Sequence, residues 1–200
     1  LRRRGGGRGA FVVAADSGLD HALALDVAVD LVVGDLDSVD PTALATARAA
    51  GTRVEVHPAD KDATDLELAL CAARDAGAAR ITVVGGGGGR HDHLLANALV
   101  LTAEAFAAIS VEALVGTAHC SVVRSRSTLH GPVGSLCSLV PVGGTAHGVT
   151  TTGLRFALLD DDLHPGSTRG VSNELTASEA TVSVRAGVVL AIQPHALEER

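Results

Sequence analysis

Short, almost unbroken apolar runs recur along the first half of the chain, separated by Ala- and Leu-rich stretches of helical period. Phe11–Ala15, Leu31–Val33, Val54–Val56, Ile81–Val84 and Val111–Val115 predict strands. Their continuous apolar character suits a parallel sheet covered on both faces. Asp40-Pro41 predicts an N-cap followed by proline at the first helical position, opening a helix that runs toward Gly51. Thr64-Asp65-Leu66-Glu67 fits a capping box, Leu66, Ala69, Leu70 and Ala73 follow at helical spacing, and Gly77 is the expected stop. A third helix is expected from His93 to about Ala105. Strands alternating with helices of this length imply βαβ crossovers, hence an α/β doubly wound, mostly parallel sheet.

After Gly116 the helical period is lost. Cys120–Val123, Ser135–Val140, Val149–Thr152, Leu154–Leu158, Thr181–Arg185 and Val188–Ile192 are short alternating segments. Gly131-Pro132, Pro141 to Gly144 and Asp160 to Gly166 punctuate them. This grammar predicts an all-β antiparallel sandwich or barrel. The chain therefore divides into an α/β domain over residues 1–116 and a β domain over residues 117–200.

Composition narrows the function classes. A hydrophobic fraction of 46% with 20% charged residues is that of a folded globular chain. A net charge of −7, with three Phe and neither Trp nor Tyr, argues against nucleic-acid partners, which need concentrated cations and stacking aromatics. No apolar run approaches the ~20 residues of a membrane span. Cys71, Cys120 and Cys137 contain no CxxC pair and leave an odd thiol, so reduced sulfur and a cytoplasmic location are expected. The chain starts at Leu1 rather than Met, so its true N-terminus is expected to be absent. Arg2, Arg3, Arg4 and Arg8, mixed with Gly, do not form a secretory signal.

In open α/β sheets, ligands sit beyond the carboxyl ends of the strands. There the predicted strands lead into Asp16-Ser17-Gly18, Gly34-Asp35-Leu36-Asp37-Ser38, the stretch from His57 through Lys61 and Asp62 to Asp65, and Gly85 to Gly89 followed by Arg90-His91-Asp92-His93. A lone Asp-x-Asp is usually turn chemistry, and Asp60 and Asp62 beside Lys61 read alone as solvated loop charges. Four neighbouring strand ends that all carry acids are different, because their mutual repulsion calls for a cation. Hard oxygen ligands around a phosphate substrate point to Mg²⁺. The run Gly85 to Gly89 lacks the Lys-Ser/Thr ending of a P-loop. A glycine-rich turn into a helix still offers backbone N–H groups to a phosphate, and Arg90 adds a bidentate fork. Gly5-x-Gly7-x-x-Ala10 precedes a strand, so it fails as a dinucleotide fingerprint. His21, His119, His130, His147 and His195 are scattered and read as structural or surface residues.

Together, Ala15-Asp16-Ser17-Gly18, Gly34-Asp35-Leu36-Asp37-Ser38, Lys61-Asp62-Ala63-Thr64-Asp65 and Gly88-Gly89-Arg90-His91-Asp92-His93 resemble the thiamine pyrophosphokinase family. The resemblance continues through Gly153-Leu154-Arg155-Phe156-Ala157-Leu158 and Gly170-Val171-Ser172-Asn173-Glu174, and spans Phe11 to Ile192. It implies Mg²⁺-dependent transfer of the pyrophosphoryl group of ATP to the thiamine hydroxyl, with release of AMP. It also implies a homodimer whose sites lie between the α/β domain of one subunit and the β domain of the other. Carried over by motif, Asp16, Asp35, Asp37 and Asp65 surround the metal and phosphates, and Asp35, Asp37, Asp65 and Arg90 take part in catalysis. Lys61, Asp62, Thr64, Arg90, Asp92 and His93 shape the ATP site, with Ser172 and Asn173 on thiamine. Ser17 replaces the first Gly of the family's Ala-Asp-Gly-Gly, and Leu1 to Gly9 stands where the family has a strand and glycine loop. Stacking on thiamine falls to Phe156 or another Phe. The competing readings are a pyrophosphokinase for another hydroxymethyl heterocycle such as a pterin, a Mg²⁺-dependent nucleotide phosphohydrolase, and a non-catalytic sensor.

Overall fold

The computed structural model describes residues 9–87 and 90–198. It divides into two compact units, one ending at Ala78 and the other beginning at Ala79.

The first unit contains β1 (Val13–Ala15), α1 (Gly18–Ala24), β2 (Leu31–Gly34), α2 (Pro41–Ala49), β3 (Arg53–Val56) and α3 (Asp65–Asp75). Its strands form one parallel sheet in the order β1-β2-β3. Central β2 is buried along its whole length. Alternation sends Val32 to one face, with Leu19 of α1 and Ala47 of α2, and sends Leu31 and Val33 to the other, with Ala69 of α3. Each such aliphatic side chain contributes roughly 1.5–3 kcal/mol by leaving water. A strand apolar at every position is the result.

The helix ends follow local chemistry. Asp40 Oδ1 accepts the N–H groups of Thr42 and Ala43 at 2.7 and 2.9 Å, with Pro41 at the first helical position. Those two donors hold the Asp40 carboxyl below its ordinary range. Thr64 Oγ1 accepts the Glu67 N–H at 3.2 Å. At the end of α3, Gly77 has φ +82°, its N–H reaches Arg74 O at 2.8 Å, and the Ala78 N–H reaches Ala73 O at 3.1 Å. That pair of bonds is a Schellman stop.

The second unit contains β4 (Arg80–Val84), α4 (His91–Val100), a 3₁₀ turn at Glu104–Phe106, and then β5 (Ser110–Val115), β6 (Ala118–Val123), β7 (Arg126–His130), β8 (Leu136–Thr152), β9 (Asp161–Leu163), β10 (Asn173–Glu174), β11 (Glu179–Ser183) and β12 (Ala186–Gln193). β4 and β5 pair in parallel, β5 pairs antiparallel with β6, and the same sheet runs on through β12, β8, β11 and β7. This continuity puts the division of compact units ahead of the change of pattern at Gly116. Leu139, Val149, Leu163, Val182 and Val189 are among its core residues. No helix among the described residues is long and apolar enough to cross a membrane.

Three expectations need correction. The third helix starts at His91 and stops at Val100, where Thr102 Oγ1 donates back to Leu99 O at 2.7 Å and the 3₁₀ turn follows. The expected break from Pro141 to Gly144 lies inside β8, with Pro141 opposite Val189 and Val142 opposite Val188. Two residues earlier the Leu139 N–H donates away from β12, to Gly170 O at 2.8 Å, so by alternation the Pro141 nitrogen faces away from β12 and its missing donor costs no bond to that strand. Leu154–Leu158 is not a strand. Gly153, at φ +70°, turns the chain out of the sheet, and only Leu154 bridges, to Leu175. Strands β7, β9 and β10 were not legible in the apolar pattern.

Candidate active site

Two strand ends and one helix start converge in the first unit. Asp16 follows β1, Asp35 follows β2, and Asp65 opens α3. One carboxylate oxygen from each lies within 4.8 Å of the other two. Asp16 holds a left-handed φ of +46° while its N–H donates to Val33 O at 2.9 Å, which locks the turn onto β2. Non-glycine residues adopt such angles uncommonly, Asp and Asn more often than most. Gly34 makes the convergence possible. At its φ of +144°, a Cβ would lie 3.1 Å from Asp65 Oδ1 and 3.3 Å from Asp16 Cβ. Sequence reasoning included Gly34 in a motif without giving it a role. The available signal was a glycine ending a buried strand directly before an acid.

The carboxylates are unequal. Burial raises the pKa of Asp16, and the charges of Asp65, Asp37 and Asp35 add to the rise. Asp35 is held below the ordinary carboxylate range, first by the Asp37 N–H, which donates to its Oδ1 at 3.3 Å, and then by Lys61. Lys61 Nζ stands 3.4 Å from Asp35 Oδ2 and 3.0 Å from Asp65 Oδ1. Its contact with Asp65 is an ion pair and the shorter of the two. Asp16 Oδ1 is buried with no hydrogen-bond partner among the described residues, and the buried Asp65 Oδ1 faces the Lys61 ammonium. Three converging carboxylates with a buried, unpartnered oxygen suit a hard divalent cation that takes few protein ligands and keeps its waters.

The other sequence-predicted residues are distributed as follows. Asp37 is exposed and stands outside the trio, with its Oδ1 accepting the Ser38 hydroxyl at 2.9 Å. Asp62 is exposed on the loop before α3, and Thr64 caps that helix. Arg90, Asp92 and His93 lie in the second unit at the start of α4. Arg90 grips Asp92 with both arms of its fork, Nε to Oδ1 at 3.1 Å and Nη2 to Oδ2 at 2.6 Å, and pulls the Asp92 carboxyl down to about 2. Asp92 Oδ1 also takes the His93 N–H at 3.0 Å. The Arg90 side chain is 70% exposed, so water screens the pair. Gly85 and Gly86 have φ of +99° and +80°. Gly88, Gly89 and residues 1–8, with Arg2, Arg3, Arg4, Arg8, Gly5 and Gly7, lie outside the described residues.

Ser172 and Asn173 differ sharply. Ser172 is exposed at φ +58°, with its N–H donating to Ser138 Oγ at 3.1 Å. Asn173 is buried and engaged with the main chain. Its Oδ1 accepts from Phe156 N at 3.0 Å and Glu174 N at 2.9 Å, and its Nδ2 donates to Phe156 O at 2.8 Å. The amide thereby fixes the backbone of Phe156, a residue that is 58% exposed and whose ring carries the Arg155 guanidinium 5.3 Å from its centre. Among the cysteines, burial pushes Cys137 up to about 12 and raises Cys120, so neither is a reactive thiolate.

Comparison with known proteins covers both units. Residues 8–113 match the family model of the thiamin pyrophosphokinase catalytic domain, and residues 120–189 match that of the thiamin pyrophosphokinase vitamin B1 binding domain. The chain is 29% identical over 162 residues to a thiamine pyrophosphokinase of Bacillus subtilis, covering 80% of this chain and 76% of the relative. It is 28% identical over 165 residues to thiamine pyrophosphokinase 1 of Arabidopsis thaliana, covering 76% of this chain and 61% of the plant protein. The crystal structure of the Bacillus subtilis thiamine pyrophosphokinase superposes with a TM-score of 0.81 at 25% identity, over 94% of this chain and 89% of that one. The thiamin pyrophosphokinase structure from Geobacillus thermodenitrificans gives 0.76 at 29% identity, over 94% and 87%.

Proposed function

The chain belongs to the thiamin pyrophosphokinase family, and on that premise we propose that it transfers the pyrophosphoryl group of ATP to the hydroxyl of thiamine at a magnesium site built on Asp16, Asp35 and Asp65. The products are thiamine diphosphate and AMP. The observation that carries the magnesium reading is the meeting of these three acids within 4.8 Å, with Asp16 Oδ1 buried and without a hydrogen-bond partner among the described residues.

Pyrophosphoryl transfer asks a protein mainly for positioning and charge neutralisation. Magnesium, when bound, neutralises phosphate oxygens and draws charge away from the phosphorus under attack. Asp16, Asp35 and Asp65 hold it. Arg90 exchanges its bidentate grip on Asp92 for phosphate oxygens, and Lys61, Asp62, Thr64, Asp92 and His93 complete the ATP side. Asp65 or Asp37 accepts the proton of the attacking hydroxyl. Ser172 meets thiamine, and Asn173 serves it by fixing Phe156. The protein acts as a homodimer in this reading. Incubation with ATP, Mg²⁺ and thiamine is expected to give AMP and thiamine diphosphate in equal amounts. ATP consumption without thiamine diphosphate would identify a phosphohydrolase instead.

Arg90 offers a sharper test. If it grips phosphate oxygens whose charge shifts during transfer, Arg90→Ala lowers kcat/KM for ATP by on the order of 10²-fold, as loss of a transition-state donor does. Arg90→Lys keeps the charge, loses the fork and remains clearly impaired. Near-wild-type steady-state kinetics in Arg90→Ala would leave the glycine run as a simple turn.

A further inference from the structure

The positive charge facing two of the three carboxylates comes from the chain itself. Lys61 lies on the loop before α3, its side chain only 13% exposed, with Nζ placed between Asp35 Oδ2 and Asp65 Oδ1. We infer that Lys61 is a resident counter-cation: its ammonium holds Asp35 and Asp65 together before a divalent cation arrives, and it leaves their oxygens when that cation binds. The inference rests on the magnesium site proposed above and adds a competition inside it.

Three observations support the exchange. First, the oxygens that Lys61 faces belong to the carboxylates assigned to the metal. A cation bound to them at its usual ~2.1 Å would stand within about 6 Å of the ammonium, where like charges repel strongly. Second, Lys61 divides its ammonium between two carboxylates, and its contact with Asp35 is long at 3.4 Å, so little is lost there when Nζ withdraws. Third, the residue is lysine. A compact ammonium on a flexible four-carbon stem can swing away and keep its charge, and the phosphates of an incoming nucleotide give it a new partner. Metal-free protein thus avoids a bare cluster of negative charge, and metal binding is favoured when nucleotide arrives with it.

The test reads metal binding without turnover. Mn²⁺ is titrated into metal-free protein in the absence of nucleotide, and free Mn²⁺ is followed by electron paramagnetic resonance. Lys61→Met is expected to bind Mn²⁺ tighter than wild type by about tenfold or more, because the competing charge is gone. Its metal-free Tm falls below that of wild type, and Mn²⁺ raises it by a larger interval. Lys61→Gln is the second variant, and reports alone if Lys61→Met does not fold. Wild-type or weaker Mn²⁺ affinity in the variants would overturn the inference while leaving the magnesium reading intact. Failure of wild type and variants alike to bind Mn²⁺, with or without a non-hydrolysable ATP analogue, would overturn both.

Discussion

Asp35→Asn is expected to lower kcat for pyrophosphoryl transfer by on the order of 10³-fold or more while the protein still folds. Both halves of this result follow from the geometry. Asp35 Oδ1 accepts the Asp37 N–H, and its other oxygen faces Lys61. Asparagine keeps a carbonyl oxygen for the Asp37 N–H, so the loop with Leu36 at φ +65° keeps its tie. What disappears is one negative charge from the trio. That loss relieves some of the repulsion that raises Asp16, and it frees Lys61 toward Asp65 alone. The two changes oppose each other, so the metal-free Tm stays close to wild type. The upward shift in Tm that Mg²⁺ and ATP give the wild type should vanish in the variant. Wild-type turnover in Asp35→Asn would remove this residue from the mechanism. Asp37, exposed and bonded to Ser38, is the natural comparison. Because it stands outside the trio, its substitution should spare metal-induced stabilisation.

What could be read from the sequence was whatever depends on neighbours in the chain. The Asp40 and Thr64 caps and the Gly77 stop were legible because each bonds within a few residues of itself. Strand β2 was legible because burial on both faces leaves an unbroken apolar run, and its end announced itself as glycine followed by acid. The passage of β8 through Pro141 was not legible. Whether a strand lacks a neighbour on one side is decided by distant residues, here Val188 and Val189. The Ser172-Asn173 motif, read as facing thiamine, says nothing about what the Asn173 amide bonds within the fold, and only folding brings Phe156 back to it. Likewise the spacing of Lys61 and Asp65 says nothing about Asp35, which reaches the same ammonium from another strand end. Asp16, Asp35 and Asp65 were thus readable as acids of one site, with Asp37 counted among them although it stands outside the trio, but their counter-charge and the gap that admits them were not.

That gap supplies the second large effect. Gly34→Ala is expected to lower kcat/KM by about 10²-fold, the scale on which small misplacements near a reacting centre are felt. The new methyl group would sit 3.1 Å from Asp65 Oδ1 and 3.3 Å from Asp16 Cβ, so one of these side chains must give way. The backbone has little freedom to absorb the contact. Gly34 pairs with Val56 of β3, and its carbonyl accepts the His57 N–H at 2.8 Å. Asp16 is held just as firmly through Val33 O. Rotation of the Asp65 carboxylate out of the trio is the easier response, and it takes a metal ligand with it. Backbone strain also lowers stability, because alanine at φ +144° costs on the order of 1–3 kcal/mol. A control separates the two causes. Gly51 has φ +89° with nothing within 4 Å of its missing Cβ, so Gly51→Ala carries backbone strain without touching a carboxylate. The control should lose Tm and keep kcat/KM, whereas Gly34→Ala should lose both, along with its tightest Mn²⁺ binding. If Gly34→Ala retains wild-type kcat/KM while its Tm falls like the control's, the carboxylates adapt around the methyl group and their spacing does not limit the reaction.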